Sequence, residues 1–243
     1  MRQKIILLGL VTAVLILTTG CINQIKVGPT QTDEQTIEAG DISSARVKID
    51  MGVGKLDVNG GADGLLDAQF TYNIESWKPE VNYEISNSEG RLTIKQPDSD
   101  TATIGIPDTE KVKYEWDLKL NDTMPMNLDI NLGVGESSLE LSGLTLNSLD
   151  IQTGVGETTI DLTGSWSNSF DVDIEGGVGK TTVRLPNGVG VRVETQTGIS
   201  GINVYGLIQN GDTYTNPAYD GADVILDIKV QGGVGGIDLI LEE

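Results

Sequence analysis

The sequence has no histidine and a single cysteine in 243 residues. Those two absences rule out an internal disulfide, a zinc site of the usual His/Cys kind, and nucleophile systems of the Ser-His or Cys-His type. Basic residues are scarce, 16 against 36 acids, and the net charge is −20. A field of that sign repels nucleic acid and anionic lipid headgroups, and its natural complements are cations or basic partners. Paired carboxylates, as used to cleave glycans, remain possible in a chain with 36 acids. Helical periodicity is missing beyond the first twenty residues, so a helical domain is excluded.

One apolar run exists, Ile5 to Leu17, preceded by Arg2 and Lys4. Thirteen residues are short for a spanning helix and right for a secretory signal. Thr18-Thr19-Gly20-Cys21 follows it and resembles a lipobox, with threonine at Thr18 where the pattern usually has leucine. Residues 1–20 are therefore expected to be a lipoprotein signal peptide, cleaved before a lipidated Cys21, and the rest to lie outside the cytoplasm. Without Arg2 and Lys4 the exported part has 14 basic and 36 acidic residues, a net −22. Residues 22–36 are polar, carry Gly28-Pro29 and show no alternation, which predicts a flexible tether from Cys21 to residue 36.

The rest is organised around a repeated Gly-Val-Gly. It stands at Gly52, Gly133, Gly154, Gly177 and Gly233, with a degenerate copy starting at Gly198. Apolar and polar residues alternate on both sides, as in LDIQT-GVG-ETTIDL, so each flank is a strand with one face in and one out. A fixed period of about 21 residues marks a repeat architecture. It predicts an all-β, single-stranded β-solenoid over residues 126–243, with the glycines at corners where stacked backbones come close. A less regular all-β part over residues 37–125 precedes it, with strands at 65–74, 81–87, 91–96 and 113–120, a turn at Ser88-Glu89-Gly90, and a loop at 97–111.

Two motifs fail on their spacing. Gly176 to Thr182, GGVGKTT, resembles the end of a phosphate-binding loop, but Ile174 stands where that loop needs glycine, so no nucleotide is expected. Gly232 to Ile240 is similar to a calcium-binding nonapeptide, but its aspartate, Asp238, arrives one residue late and faces the wrong way. Two features are candidate sites. The excursion from Leu207 to Asp223, with Tyr205 before it, gathers Tyr205, Tyr214 and Tyr219 for partner or glycan contact, or as packing over the flank. Counting four residues back from each repeat glycine gives Lys48, Asp129, Asp150, Asp173, Glu194 and Lys229. Stacked in sequence order, Asp129, Asp150, Asp173 and Glu194 would form an unbroken acidic column. That column is either a solvated face or a weak site for cations or a basic partner segment.

The runs KPEVNYEISNSEGRLTIKQP, WDLKLNDTMPMNLDINLGVGESSLELSGLTLNSLDIQTGVGETTIDLTG, LPNGVGVRVETQTGISGINVYGL and GGVGGIDLIL together resemble the toast-rack family, including its N-terminal region. That family is related to the C-terminal domain of LiaF-type cell-envelope stress proteins. The resemblance spans about residues 40–243 and implies a single-stranded β-solenoid; no cofactor is expected. LiaF-type proteins carry transmembrane helices ahead of this domain, where this chain has a lipobox-like cysteine. The expected function is a non-catalytic, lipid-anchored binding or scaffolding protein of the cell envelope, linked to envelope stress. An adhesin-like structural module and a carbohydrate-active enzyme are the competing readings. Expected partners are the membrane, through the anchor, and an envelope protein or glycan.

Overall fold

The computed structural model describes residues 26–97 and 111–242, and not the side chains of residues 197–200. The predicted signal peptide, Cys21 and nearly all of the 97–111 loop lie outside the described residues. Among those described there is no α-helix, and so none long and apolar enough to cross a membrane. The described residues form thirteen strands, with a 3-10 turn at Glu75–Trp77. Five of the six repeats of Gly-Val-Gly sit in the middle of one long strand each: β2 (Ser44–Gly60), β7 (Met126–Glu140), β8 (Leu146–Asp161), β9 (Phe170–Leu185) and β13 (Ile225–Leu241). The degenerate copy sits in β10 (Gly190–Tyr205).

Each long strand works as two short ones because the alternation slips by one residue at the corner. In β7, Leu128, Ile130 and Leu132 point inward, and so does Leu139 beyond the corner, at odd rather than even spacing. Val134, which a continuous period of two would bury, is 49% exposed. The slip puts both halves of every repeat against one core. The backbone that makes it is glycine's: the third residue of each of the five mid-strand copies has positive φ, 145° at Gly156, whereas Gly190 of Gly188-Val189-Gly190, at the start of β10, does not. Gly154, the first residue, is not in that region. Its need for glycine is steric, since a Cβ would run into the Gly133 carbonyl of the neighbouring strand.

The long strands are parallel and paired residue for residue in the order β2-β7-β8-β9-β13-β10. The last two exchange places relative to the sequence. Glu194 on β10 therefore pairs with Lys229, not with Asp173, and Lys229 pairs with Asp173. The expected stacking in sequence order is wrong at this step. Charge gives a reason: sequence order would set Glu194 against Asp173, whereas the observed order separates the acids with a lysine. It also brings Lys180 Nζ to 2.9 Å from Asp238, and Arg192 Nη1 to 2.9 Å from both carboxylate oxygens of Asp227. The long excursion before β13 supplies the chain length for the exchange.

Across residue 125 there is no break. β2 pairs along almost its whole length with β7, and one hydrophobic cluster runs from Ala45 to Leu239. On the other side of β2, its first half pairs with β5 (Glu89–Lys95) and its second half with β6 (Tyr114–Leu120). β5 forms a hairpin with β4 (Glu80–Ser86), closed by Asn87 and Ser88 at positive φ. The turn is thus the two residues before Glu89, not Ser88-Glu89-Gly90, because two left-handed residues match the strand twist. β6 continues antiparallel to β3 (Leu66–Tyr72), and β3 to β1 (Gln31–Ile37).

β1 corrects the tether. Residues 31–37 form an edge strand, and the Gly28 N–H already donates to the Asn73 carbonyl at 2.7 Å. Alternation was a poor guide because this strand is held by backbone pairing and polar contacts. Tyr72 donates its hydroxyl to Asp33 at 2.9 Å, and Lys78 pairs with the same carboxylate.

Candidate functional site

The long strands show water two rows of side chains just ahead of the corners. The first is Lys48, Asp129, Asp150, Asp173, Lys229 and Glu194 in spatial order. Three carboxylates are contiguous, a lysine closes each end, and Glu194 stands apart beyond Lys229. Lys229 Nζ lies 4.0 Å from Asp173. Desolvation, and then the charges of Asp129, Asp173 and Glu175, hold the Asp150 carboxyl above its ordinary pKa. Among the described residues no group of three or more acids is arranged to hold a metal ion. Parallel pairing spaces the carboxylates one strand apart in a line, about 4.8 Å, where a cation needs ligands converging on a point.

The second row, two residues closer to the corner, is Asp50, Asn131, Gln152, Glu175, Gln231 and Gln196. Four of its six members are amides. Asn131 donates to Asp50 and to Asp129, both at 2.9 Å, and so ties the two rows together. Two open grooves follow this row. One, of ≈ 560 Å³, is lined by Asp50, Asn131 and Gln152 and bounded by Gln96 and Pro97. The other, of ≈ 660 Å³, is lined by Glu175, Gln231 and Gln196 and bounded by Asp212 and Tyr214. Sequence reasoning found the first row and missed the second, although its signal, a polar residue two before each repeat glycine, was present.

The three tyrosines do not gather on a protruding loop. β11 (Ile208–Asn210) and β12 (Thr213–Thr215) form a hairpin, and β12 pairs with Arg192 to Glu194 of β10. Tyr214 is buried there, and Gln209 Nε2 donates to its hydroxyl. Tyr219 is half-buried, and Tyr205 is exposed at the end of β10, as is Ile208 at the start of β11. Asn216 pins the excursion: its side-chain oxygen accepts from the Val191 N–H at 3.0 Å and its amide donates to the Val189 carbonyl at 2.7 Å. The excursion is a clamp over the last repeat.

The motifs rejected on spacing have structural employment. Lys180 and Asn203 both bind Asp238, which lowers that carboxyl's pKa, the Asn203 hydrogen bond first and the Lys180 hydrogen bond second. Val134, Val155, Val178 and Val234 stand in register along the corner edge, each about half exposed.

The arrangement can therefore bind along a length and shows no catalytic constellation among the described residues. Residues 26–184 match the family model for the N-terminal domain of toast_rack, and residues 133–239 the model described as cell wall-active antibiotics response LiaF, C-terminal. No curated protein matches the chain. Among solved structures, a candidate cell adhesion protein from Clostridium sporogenes is similar at 30% identity and a TM-score of 0.83, covering 88% of this chain and 100% of that one. A candidate adhesin from Bacteroides fragilis covers 89% of this chain and 99% of its own at 14% identity, with a TM-score of 0.25, too low to bear weight. With a family model matched over well over half its length and a relative of 30% identity covered end to end, this chain belongs to the toast-rack family.

Proposed function

We propose that the chain is a non-catalytic binding module of the cell envelope, built as a single-stranded β-solenoid and held to the membrane by a lipid on Cys21. The observation that carries this reading is the end-to-end similarity to the Clostridium sporogenes candidate cell adhesion protein. The geometry supports it. The chain enters the fold at β1, one edge of the sheet, and the excursion closes the other edge. Six residues lie between Cys21 and the docked Gly28, so an anchored fold stands within about 25 Å of its lipid, seven steps at about 3.5 Å each. Its β10-β12-β11 end then faces away from the membrane. Fractionation and mass spectrometry test the anchor: Cys21→Ser should leave an unprocessed precursor without lipid, because a hydroxyl cannot form the thioether. A wild-type protein bearing no lipid on residue 21 refutes the anchor.

The match to the LiaF C-terminal model favours a second reading, an envelope-stress role. Deleting the gene should then change the induction of an envelope-stress reporter by cell-wall antibiotics, and an unchanged response refutes it.

A further inference from the structure

The two grooves belong to one feature. Their linings meet where Gln152 pairs with Glu175, so one row of side chains, Asp50 to Gln196, runs along both. At strand spacing the row spans six strands, or about 24 Å. Both ends are walled. Gln96 is fixed at one by accepting from the Gly52 and Val53 N–H groups at 2.9 and 3.1 Å. At the other, Thr195 holds Asp212 in place by donating its backbone N–H to the Asp212 carbonyl at 3.0 Å.

We propose that this trough binds an extended, uncharged β-1,4-linked glycan. The inference rests on the envelope-binding reading above and names a ligand class for it. Three observations carry it. Among the described residues, the side chains of Glu175, Gln196 and Gln231 make no hydrogen bond within the protein, and all three are exposed at the groove. Amides and carboxylates together donate and accept, which suits hydroxyl groups rather than ions. The spacing is periodic, at about 4.8 Å per strand, and an extended β-1,4-linked chain advances by a similar distance per sugar, with alternate sugars turned over so that every second one presents the same groups to the row. The neighbouring row of Asp129, Asp150 and Asp173 turns away phosphate- or carboxylate-bearing polymers by like charge. A polypeptide is less suited, because the row offers side chains and no free strand edge to which a peptide backbone could pair.

The test is calorimetric titration of the full-length protein with β-1,4-linked glucose and N-acetylglucosamine oligomers of two and five units. The five-unit chain of at least one series should bind at least about tenfold more tightly than its two-unit chain, since it engages more of the row. Adding salt should leave that affinity unchanged, because the ligand has no charge. Gln152→Ala with Gln231→Ala should abolish the length dependence without lowering the melting temperature, both side chains being exposed. Absence of binding by either series, or binding without length dependence, overturns the proposal. So does binding that the double variant retains. Capture of a basic peptide alone, lost in salt, would show the acidic face acting as a charge sink. The Cys21 measurement is independent, so an anchored protein that ignores both glycans sinks the trough and leaves the envelope reading standing.

Discussion

Replacing Gly156 by alanine tests the corner. The substitution adds one methyl group to an exposed residue, which on most surfaces changes stability by less than about 0.5 kcal/mol. Here two costs arise. With φ at 145°, the backbone lies where L side chains are strained by about 1 to 3 kcal/mol. The new Cβ would also run into the Gly135 carbonyl of the neighbouring strand, far inside van der Waals contact. That oxygen belongs to backbone and cannot swing aside, so the stacked strands must part locally at a further cost of about 1 to 2 kcal/mol. A total of about 3 kcal/mol lowers the melting temperature by about 6 to 12 °C for a domain of this size. Repeats are stabilised by their neighbours, so the loss should also broaden the transition. Gly236→Ala is the internal control: it is a corner glycine without positive φ and with nothing within 4 Å of a built Cβ. Circular-dichroism melts of the two variants decide the matter. A Gly156→Ala protein melting within about 2 °C of wild type, or a Gly236→Ala protein equally damaged, would refute the stacked-corner argument.

Asp150→Asn should stabilise the protein at neutral pH by about 0.5 to 1 kcal/mol, the screened repulsion of two acids a strand spacing away. The Asp150 pKa is raised in the fold, so this group gains stability as pH falls through the shifted value and loses it as pH rises. The variant's advantage should accordingly shrink toward the carboxylate range, and an advantage independent of pH contradicts the assignment. On the same face, calcium and sodium chloride at matched ionic strength should raise the melting temperature equally. A calcium-specific gain, removed by Asp150→Asn with Asp173→Asn, would restore a cation site. Asn216→Ala leaves the Val191 N–H and the Val189 carbonyl without their partner and should cost about 2 to 3 kcal/mol by urea denaturation. It should also expose residues 206–224 to limited proteolysis, and an intact, equally stable variant would show that the clamp is not held there.

The sequence by itself determined what depends on neighbours along the chain. Alternation around each Gly-Val-Gly placed Leu128, Ile130, Ile151 and Val172 in the core, and all four are buried. The glycines marked the corners because positive φ at the third residue and the close approach of neighbouring backbones both require them there. Strands 81–87 and 91–96 were found within two residues of β4 and β5. What depends on partners distant in sequence was decided only in three dimensions. β1 looks like linker because its hydrogen bonds come from β3, and no local pattern records that pairing. The tyrosines look clustered along the chain, yet β12 turns Tyr214 inward while Tyr205 stays in water. Most of all, every repeat offers the same kind of strand edge, so the sequence cannot say which one follows β9. The order is settled by long-range contacts: Lys229 seated between Asp173 and Glu194, Asp238 held by Lys180 and Asn203, and Asp227 on Arg192. With that order came the lysine that ends the acidic row, whereas the amide-rich row beside it has a glutamine at either place, Gln231 or Gln196.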